Sequence, residues 1–131
     1  MVGDPIGDFI IRIKNAGNVR KENISVPFSK MKLAIAELLS AKGYIGAVAQ
    51  KSKGNAKYLE IALLYTENGK PVVSDVRRIS KPSRRLYENA KNIRKFRRGF
   101  GLSVFSTPKG IMGDMDAKKN NLGGEFLFNI W

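Results

Sequence analysis

Residues 77–98 carry Arg77, Arg78, Lys81, Arg84, Arg85, Lys91, Arg94, Lys95, Arg97 and Arg98 against Glu88 alone, nine of the chain's net charge of +13. Like charges at this density repel one another unless a polyanion screens them. A charge run is often no more than a solvated face. Here the bias toward Arg and the Tyr87 inside the run favour a binding surface. Arg forks phosphate oxygens in pairs and stacks on bases, and Tyr87 can offer a ring face and a hydroxyl to an unpaired base. Further along, Ser106 and Thr107 end an apolar stretch and lead into Pro108-Lys109-Gly110. Small hydroxyls on a tight turn donate and accept at once, which suits sugar hydroxyls and base edges, and Gly110 lets a backbone approach closely. An ordinary hairpin turn would have the same composition.

Other chemistry finds little to build on. The chain has no Cys and no His, which removes disulfides, Cys/His zinc sites, thiol nucleophiles and the usual general base. Asp114, Asp116 and Glu125 are acid/base candidates for an RNA-processing enzyme, but no nucleotide loop or partner base accompanies them. The expectation is a binding protein, not an enzyme, with no catalytic residue, metal or cofactor. Ser106-Thr-Pro-Lys109 fits the S-x-x-K pattern of penicillin-recognising enzymes. So does Ser29-Lys-Met-Lys32, which shows how cheap the pattern is. Arg98-Gly-Phe-Gly-Leu-Ser-Val-Phe105 resembles the RNP1 strand of RNA-recognition motifs, yet Leu102 stands where a stacking aromatic is wanted and no companion RNP2 strand precedes it. Gly99-Phe-Gly101 lacks the third glycine of a dinucleotide loop.

The 131 residues, 43% of them hydrophobic, suffice for a core that buries roughly 65–70% of the unfolded surface. With 24 Lys+Arg against 11 Asp+Glu and a pI near 10.2, the expected partner is a polyanion, most commonly nucleic acid. A membrane surface would call for a basic amphipathic helix with exposed large apolar residues, and no segment reads that way. No apolar run approaches the ~18 residues of a bilayer span. The start at Met1 shows no secretory pattern, so Asn23-Ile24-Ser25 reads as a chance sequon. A soluble protein of a reducing compartment is expected.

Elements that must position these residues follow from period and punctuation. Asp4-Pro5 opens a helix, with Ile6, Phe9, Ile10 and Ile13 on its inner face and Gly17 at its end. Ile24, Val26 and Phe28 alternate as a strand. Ser29 caps a second helix with Met31, Ile35, Leu38 and Leu39 inward, stopped by Gly43. Strands are expected over 44–50, 57–65 and, after the Asn68-Gly69 turn, 71–79. A short helix is expected over 89–97 with Ile93 and Phe96 inward, then a strand over 102–106, a helix over 114–121 and a last strand through Phe126, Phe128 and Ile130. There is no internal repeat.

Taken in order, several blocks carry a family resemblance. Asp4-Pro-Ile-Gly-Asp-Phe-Ile-Ile-Arg-Ile-Lys-Asn15, Val26-Pro-Phe-Ser-Lys-Met-Lys32, Gly43-Tyr-Ile45, Arg78-Ile-Ser-Lys-Pro-Ser-Arg-Arg-Leu-Tyr87, Gly99-Phe-Gly-Leu-Ser-Val-Phe-Ser-Thr-Pro-Lys-Gly-Ile-Met112 and Leu122-Gly-Gly-Glu125 together resemble small-subunit ribosomal protein eight of bacterial type. Each block alone is weak; the ordered set is specific and runs over nearly the whole chain. The resemblance implies an α+β fold of two small subdomains, an α-β-α-β-β N-terminal half (1–70) and a mostly β, RNA-binding C-terminal half (71–131). It implies a constituent of the small subunit in the cytoplasmic ribosome. There it would bind the central domain of small-subunit ribosomal RNA at an irregular helix, beside neighbouring small-subunit proteins, and promote assembly. The family's RNA-reading turn maps onto Ser106, Thr107, Lys109 and Gly110. Tyr87, Gly124 and Glu125 map onto supporting contacts, and Ser29 and Lys30 onto contacts from the N-terminal half; Arg84 and Arg85 are added as phosphate contacts from the basic run. Where many members carry a second Ser, this chain has Pro108, which removes a hydroxyl and stiffens the turn. The alternatives are repression of translation through its own operon messenger RNA, RNA binding outside the ribosome, and DNA compaction.

Overall fold

A computed structural model describes residues 3–131. The chain divides into two compact units, Asp8–Ser74 and residues 3–7 together with Asp75–Trp131. Helices and sheets are both present, in an α+β arrangement.

Helix α1 (Pro5–Asn18) begins where expected. Pro5 lacks the N–H that a first turn cannot use, and the preceding Asp4 carboxylate accepts from the backbone of Gly7. In the Asp8–Ser74 unit, Phe9, Ile10 and Ile13 are buried at helical spacing. Strand β1 (Asn23–Pro27) follows, then α2 (Lys30–Ala41), β2 (Ile45–Lys53) and β3 (Ala56–Leu63), the strands forming an antiparallel sheet in the order β1-β3-β2. Ile24 and Val26 point inward from β1, Leu59 and Ile61 from β3, and Ile35 and Leu39 from α2. The Ser29 hydroxyl accepts from the Lys32 N–H at 3.0 Å, satisfying one of the orphan donors at the start of α2. Met31 does not join the inner face; it is 41% exposed, because the apolar stripe of α2 runs through Ile35, Ala36 and Leu39.

The second unit is built on β8 (Gly124–Ile130). It pairs along one edge with β6 (Leu102–Thr107), which in turn pairs with β7 (Gly110–Gly113). Its other edge pairs with β4 (Val76–Arg78) near its end and with β5 (Tyr87–Glu88) near its start, all antiparallel. Because β8 is flanked on both edges and covered on both faces, Leu127, Phe128, Asn129 and Ile130 are all buried. Helix α3 (Asp114–Lys119) covers part of this sheet with Ala117, against Ile93 and Phe105.

Two expectations need correction. The strand over 71–79 shrinks to β4. Tyr65 and Pro71 form only an isolated bridge, Pro71 has no N–H to extend the ladder, and Asp75 turns its carboxylate onto the Val76 N–H at 2.8 Å. The helix over 89–97 is instead two short 3₁₀ turns, Ala90–Asn92 and Phe96–Gly99. Ile93 is buried from an extended link between the two turns, in which both Ile93 and Lys95 have β-region backbone. Arg97 and Arg98 then adopt left-handed backbone, φ 48° and 56°, which breaks any helix there.

Candidate functional site

Basic side chains of the 77–98 run face solvent with one exception. Arg78 is half-buried, and its guanidinium forks the Asp4 carboxylate, Nε to Oδ2 at 2.8 Å and Nη2 to Oδ1 at 3.2 Å. Burial pushes the Asp4 carboxyl up, but the hydrogen bonds from Arg78 and the Gly7 backbone, with the charges of Arg78 and Lys81, outweigh it and hold the group below the usual carboxylate range. Arg78 is therefore a structural member of the run. Arg84 and Arg85 are exposed at the end of a tight turn, in which Lys81 and Arg84 exchange both backbone hydrogen bonds at 2.9 Å around Pro82-Ser83.

That turn is fastened to β8 through a residue that sequence reasoning missed. Ser80 is fully buried; its hydroxyl donates to Glu125 and accepts from the Leu86 N–H at 3.1 Å. Glu125 also lies 4.0 Å from Arg85. Its carboxylate thus organises the basic turn, whatever else it touches. A lone Ser in a charged stretch carries no periodic signal, so nothing in the sequence singled it out.

Strand register gathers several of the sequence-derived candidates. Ser106 lies opposite Glu125, and Glu125 lies opposite Tyr87. Directly opposed residues share a sheet face, so Ser106, Glu125 and Tyr87 form a row across β6, β8 and β5, about 10 Å from end to end at the usual strand spacing. Tyr87 is 67% exposed. Gly124 is needed for this closeness, since a Cβ there would fall 2.1 Å from the Ser106 carbonyl oxygen.

The two hydroxyls at the end of β6 prove unequal. Thr107 is only 9% exposed. Its Oγ1 donates to the Gly110 carbonyl at 2.8 Å and accepts from the Lys109 N–H at 3.2 Å, so it closes the β6–β7 turn from inside. Gly110 supplies the left-handed step, φ 117°. The half-buried Ser106 hydroxyl has no hydrogen-bond partner among the described residues. Lys109 is exposed on the tip. Ser29 and the exposed Lys30 belong to the Asp8–Ser74 unit, where Ser29 is already engaged as the α2 cap.

The acidic candidates do not assemble. Asp114 is buried and accepts from the Phe96 and Met115 N–H groups, each at 2.8 Å, so its carboxylate is structural. Among the described residues no cluster of acids could hold a metal ion, and no helix is long and apolar enough to cross a membrane.

These features define a class: a small, strongly basic α+β protein of two units, with a hydroxyl-bearing turn and an exposed aromatic on one sheet face of the second. Comparison with known proteins is more specific. The family described as Ribosomal protein S8 matches residues 4–131. The chain is 44% identical to small ribosomal subunit protein uS8 of Brucella abortus, and 43% identical to the proteins of that name from Brucella ovis and Brucella suis, over 99% of this chain and 98% of each relative. The chain belongs to the ribosomal protein S8 family.

Proposed function

We propose that this chain binds the central domain of small-subunit ribosomal RNA at an irregular helix, and that it holds one RNA conformation during assembly of the small subunit in the cytoplasmic ribosome. The observation that carries this reading is the row of Ser106, Glu125 and Tyr87 on one sheet face, beside the Arg84–Arg85 turn. Arg84, Arg85 and their neighbours supply phosphate contacts, whose strength falls with salt. Ser106 and Tyr87 supply the part that reads accessible bases and sugars. Gly124 and Gly110 let the strands and the turn come close enough to present them. Lys109 adds a charge at the tip, and Ser29 with Lys30 adds a contact from the other unit. Thr107 acts by shaping the turn. Neighbouring small-subunit proteins are the further partners.

The test is competition binding of the purified chain to a ribosomal RNA fragment containing the irregular helix, against a regular duplex RNA of equal length. Preference for the irregular fragment that is lost in Ser106→Ala supports the reading. Equal affinity for both RNAs, or for duplex DNA and ribosomal RNA, would reduce the chain to a general polyanion binder.

A further inference from the structure

Away from the β6–β7 turn, the same unit holds a hollow of about 320 Å³ whose lining includes Ser103, Asn129, Phe96 and Phe126. Its polar members come from a cross-strand row: Ser103 on β6 lies opposite Asn129 on β8, which lies opposite Arg77 on β4. Ser103 is 3% and Asn129 2% exposed. A polar pair in an otherwise apolar strand costs free energy unless its hydrogen bonds are made. Oδ1 of Asn129 accepts from the Ser103 hydroxyl at 2.7 Å, which turns the NH₂ to the other edge of the carboxamide. That NH₂ belongs to a residue lining the hollow. A flipped amide, with Ser103 accepting, would present the oxygen there instead.

The rest of the lining suits one kind of occupant. Phe96 and Phe126 offer ring surface for stacking. Arg94 and Arg97 also line the hollow, and both are exposed. The Arg97 guanidinium lies over the Trp131 ring, 4.4 Å from its centre, a cation–π contact that holds this charge beside the hollow. The left-handed backbone at Arg97 and Arg98 is a conformation that persists only where surroundings impose it. Glu88 lines the hollow as well and offers an acceptor to a ribose hydroxyl.

We propose that this hollow receives the base of an unpaired nucleotide, with Asn129 reading its edge and Arg94 and Arg97 holding its phosphate. The site uses RNA as the partner but none of the residues of the Ser106 turn. The six residues of β6, Leu102–Thr107, put Ser103 and the turn roughly 13 Å apart along the strand, so the two sites can succeed or fail separately. The ligand could be a free mononucleotide or a nucleotide splayed out of an RNA strand.

The full chain, labelled with ¹⁵N, is titrated with adenosine and uridine monophosphate, with a short single-stranded RNA and with inorganic phosphate. Asn129 side-chain amide resonances and emission of the single Trp131 are followed. Mononucleotide should shift the Asn129 NH₂ and change the Trp131 emission, and inorganic phosphate should leave the Asn129 NH₂ in place. Tighter binding of the single strand with the same shifts identifies RNA as the source; shifts with mononucleotide alone identify a free nucleotide. Asn129→Leu should weaken mononucleotide binding about tenfold, the value of one hydrogen bond. Because that variant also strips Ser103 of its partner, exposed Arg94→Ala is the second arm, expected to weaken binding of the monophosphate and not of the nucleoside. The proposal is overturned if no nucleotide moves the Asn129 NH₂, if phosphate alone reproduces the shift, or if Arg94→Ala binds the monophosphate as tightly as the parent.

Discussion

Ser106 and Thr107 are adjacent hydroxyls with different jobs. From sequence they read as an equivalent pair on an exposed turn, because side-chain type does not reveal which hydroxyl the backbone will claim. Alternation along β6 decides it: Ser106 joins the row facing Glu125 and Tyr87, while Thr107 turns into the hairpin and bonds both Gly110 and Lys109. Ser106→Ala should therefore weaken binding to the cognate RNA by roughly five- to 150-fold, the cost of leaving a buried partner unpaired, with an unchanged melting temperature. Thr107→Val should lower stability by about 1 kcal/mol and affect RNA only through the turn. Parallel melting and affinity measurements separate the two, and a Thr107→Val chain as stable as the parent would show that the internal hydrogen bonds contribute nothing. Gly124→Ala is a steric test at the same place. Its Cβ would press on the Ser106 carbonyl, which is backbone and cannot swing away, so a loss of about 1–3 kcal/mol or more is expected from overpacking. Denaturant titration of that variant measures it.

Among the elements, those with a clear period were legible in the sequence. Helices α1 and α2 and strands β1 and β3 lie close to where apolar spacing puts them, since each buries one regular face, and β6 and β8 lie close to their expected places although consecutive residues of both are buried. Segments held by other means were not legible. Strand β4 is three residues long and owes its place to β8 and to the Arg78–Asp4 pair. The Phe96–Gly99 turn depends on a carboxylate distant in sequence, Asp114, accepting from the Phe96 N–H. The basic turn over 81–84 is held by Ser80 and Glu125. Of the candidate site, the charge run, Tyr87 and the Ser106 turn could be picked out from residue type alone. Their assembly into one row could not, because register between strands far apart in sequence is a tertiary property. The Ser80–Glu125 link makes its own prediction. Glu125→Ala should speed hydrogen exchange at the Leu86 amide, whose acceptor is the Ser80 hydroxyl, and should loosen Arg84 and Arg85 without unfolding β8. Unchanged exchange at Leu86 would mean that the turn holds itself.

For the molecule as a whole, charge bears on stability and on the proposed binding to RNA alike. Asp4 titrates lower in the folded chain than in the unfolded one, so its contribution is fully present above the unfolded pKa, about 4, and is lost as pH falls through the folded value. Asp4→Asn should therefore flatten the acid limb of the stability curve below about pH 4 and cost about 1 kcal/mol near neutrality, since the pair is partly exposed; equal acid limbs would remove the pair from the account. The net +13 should make the free chain melt at a higher temperature in moderate salt than in low salt, as screening relieves repulsion, and a melting temperature that falls steadily with added salt would contradict this. Cationic residues and the neutral hydroxyl should act independently on RNA, and one measurement separates them: log affinity for the irregular ribosomal RNA fragment against log salt, for the parent, Arg84→Ala and Ser106→Ala. The parent and Ser106→Ala should give parallel lines, with the variant displaced to weaker binding at every salt, while Arg84→Ala should give a line shallower by about one unit of slope. Superposed lines for the parent and Ser106→Ala would contradict the claim that this sheet face reads the RNA.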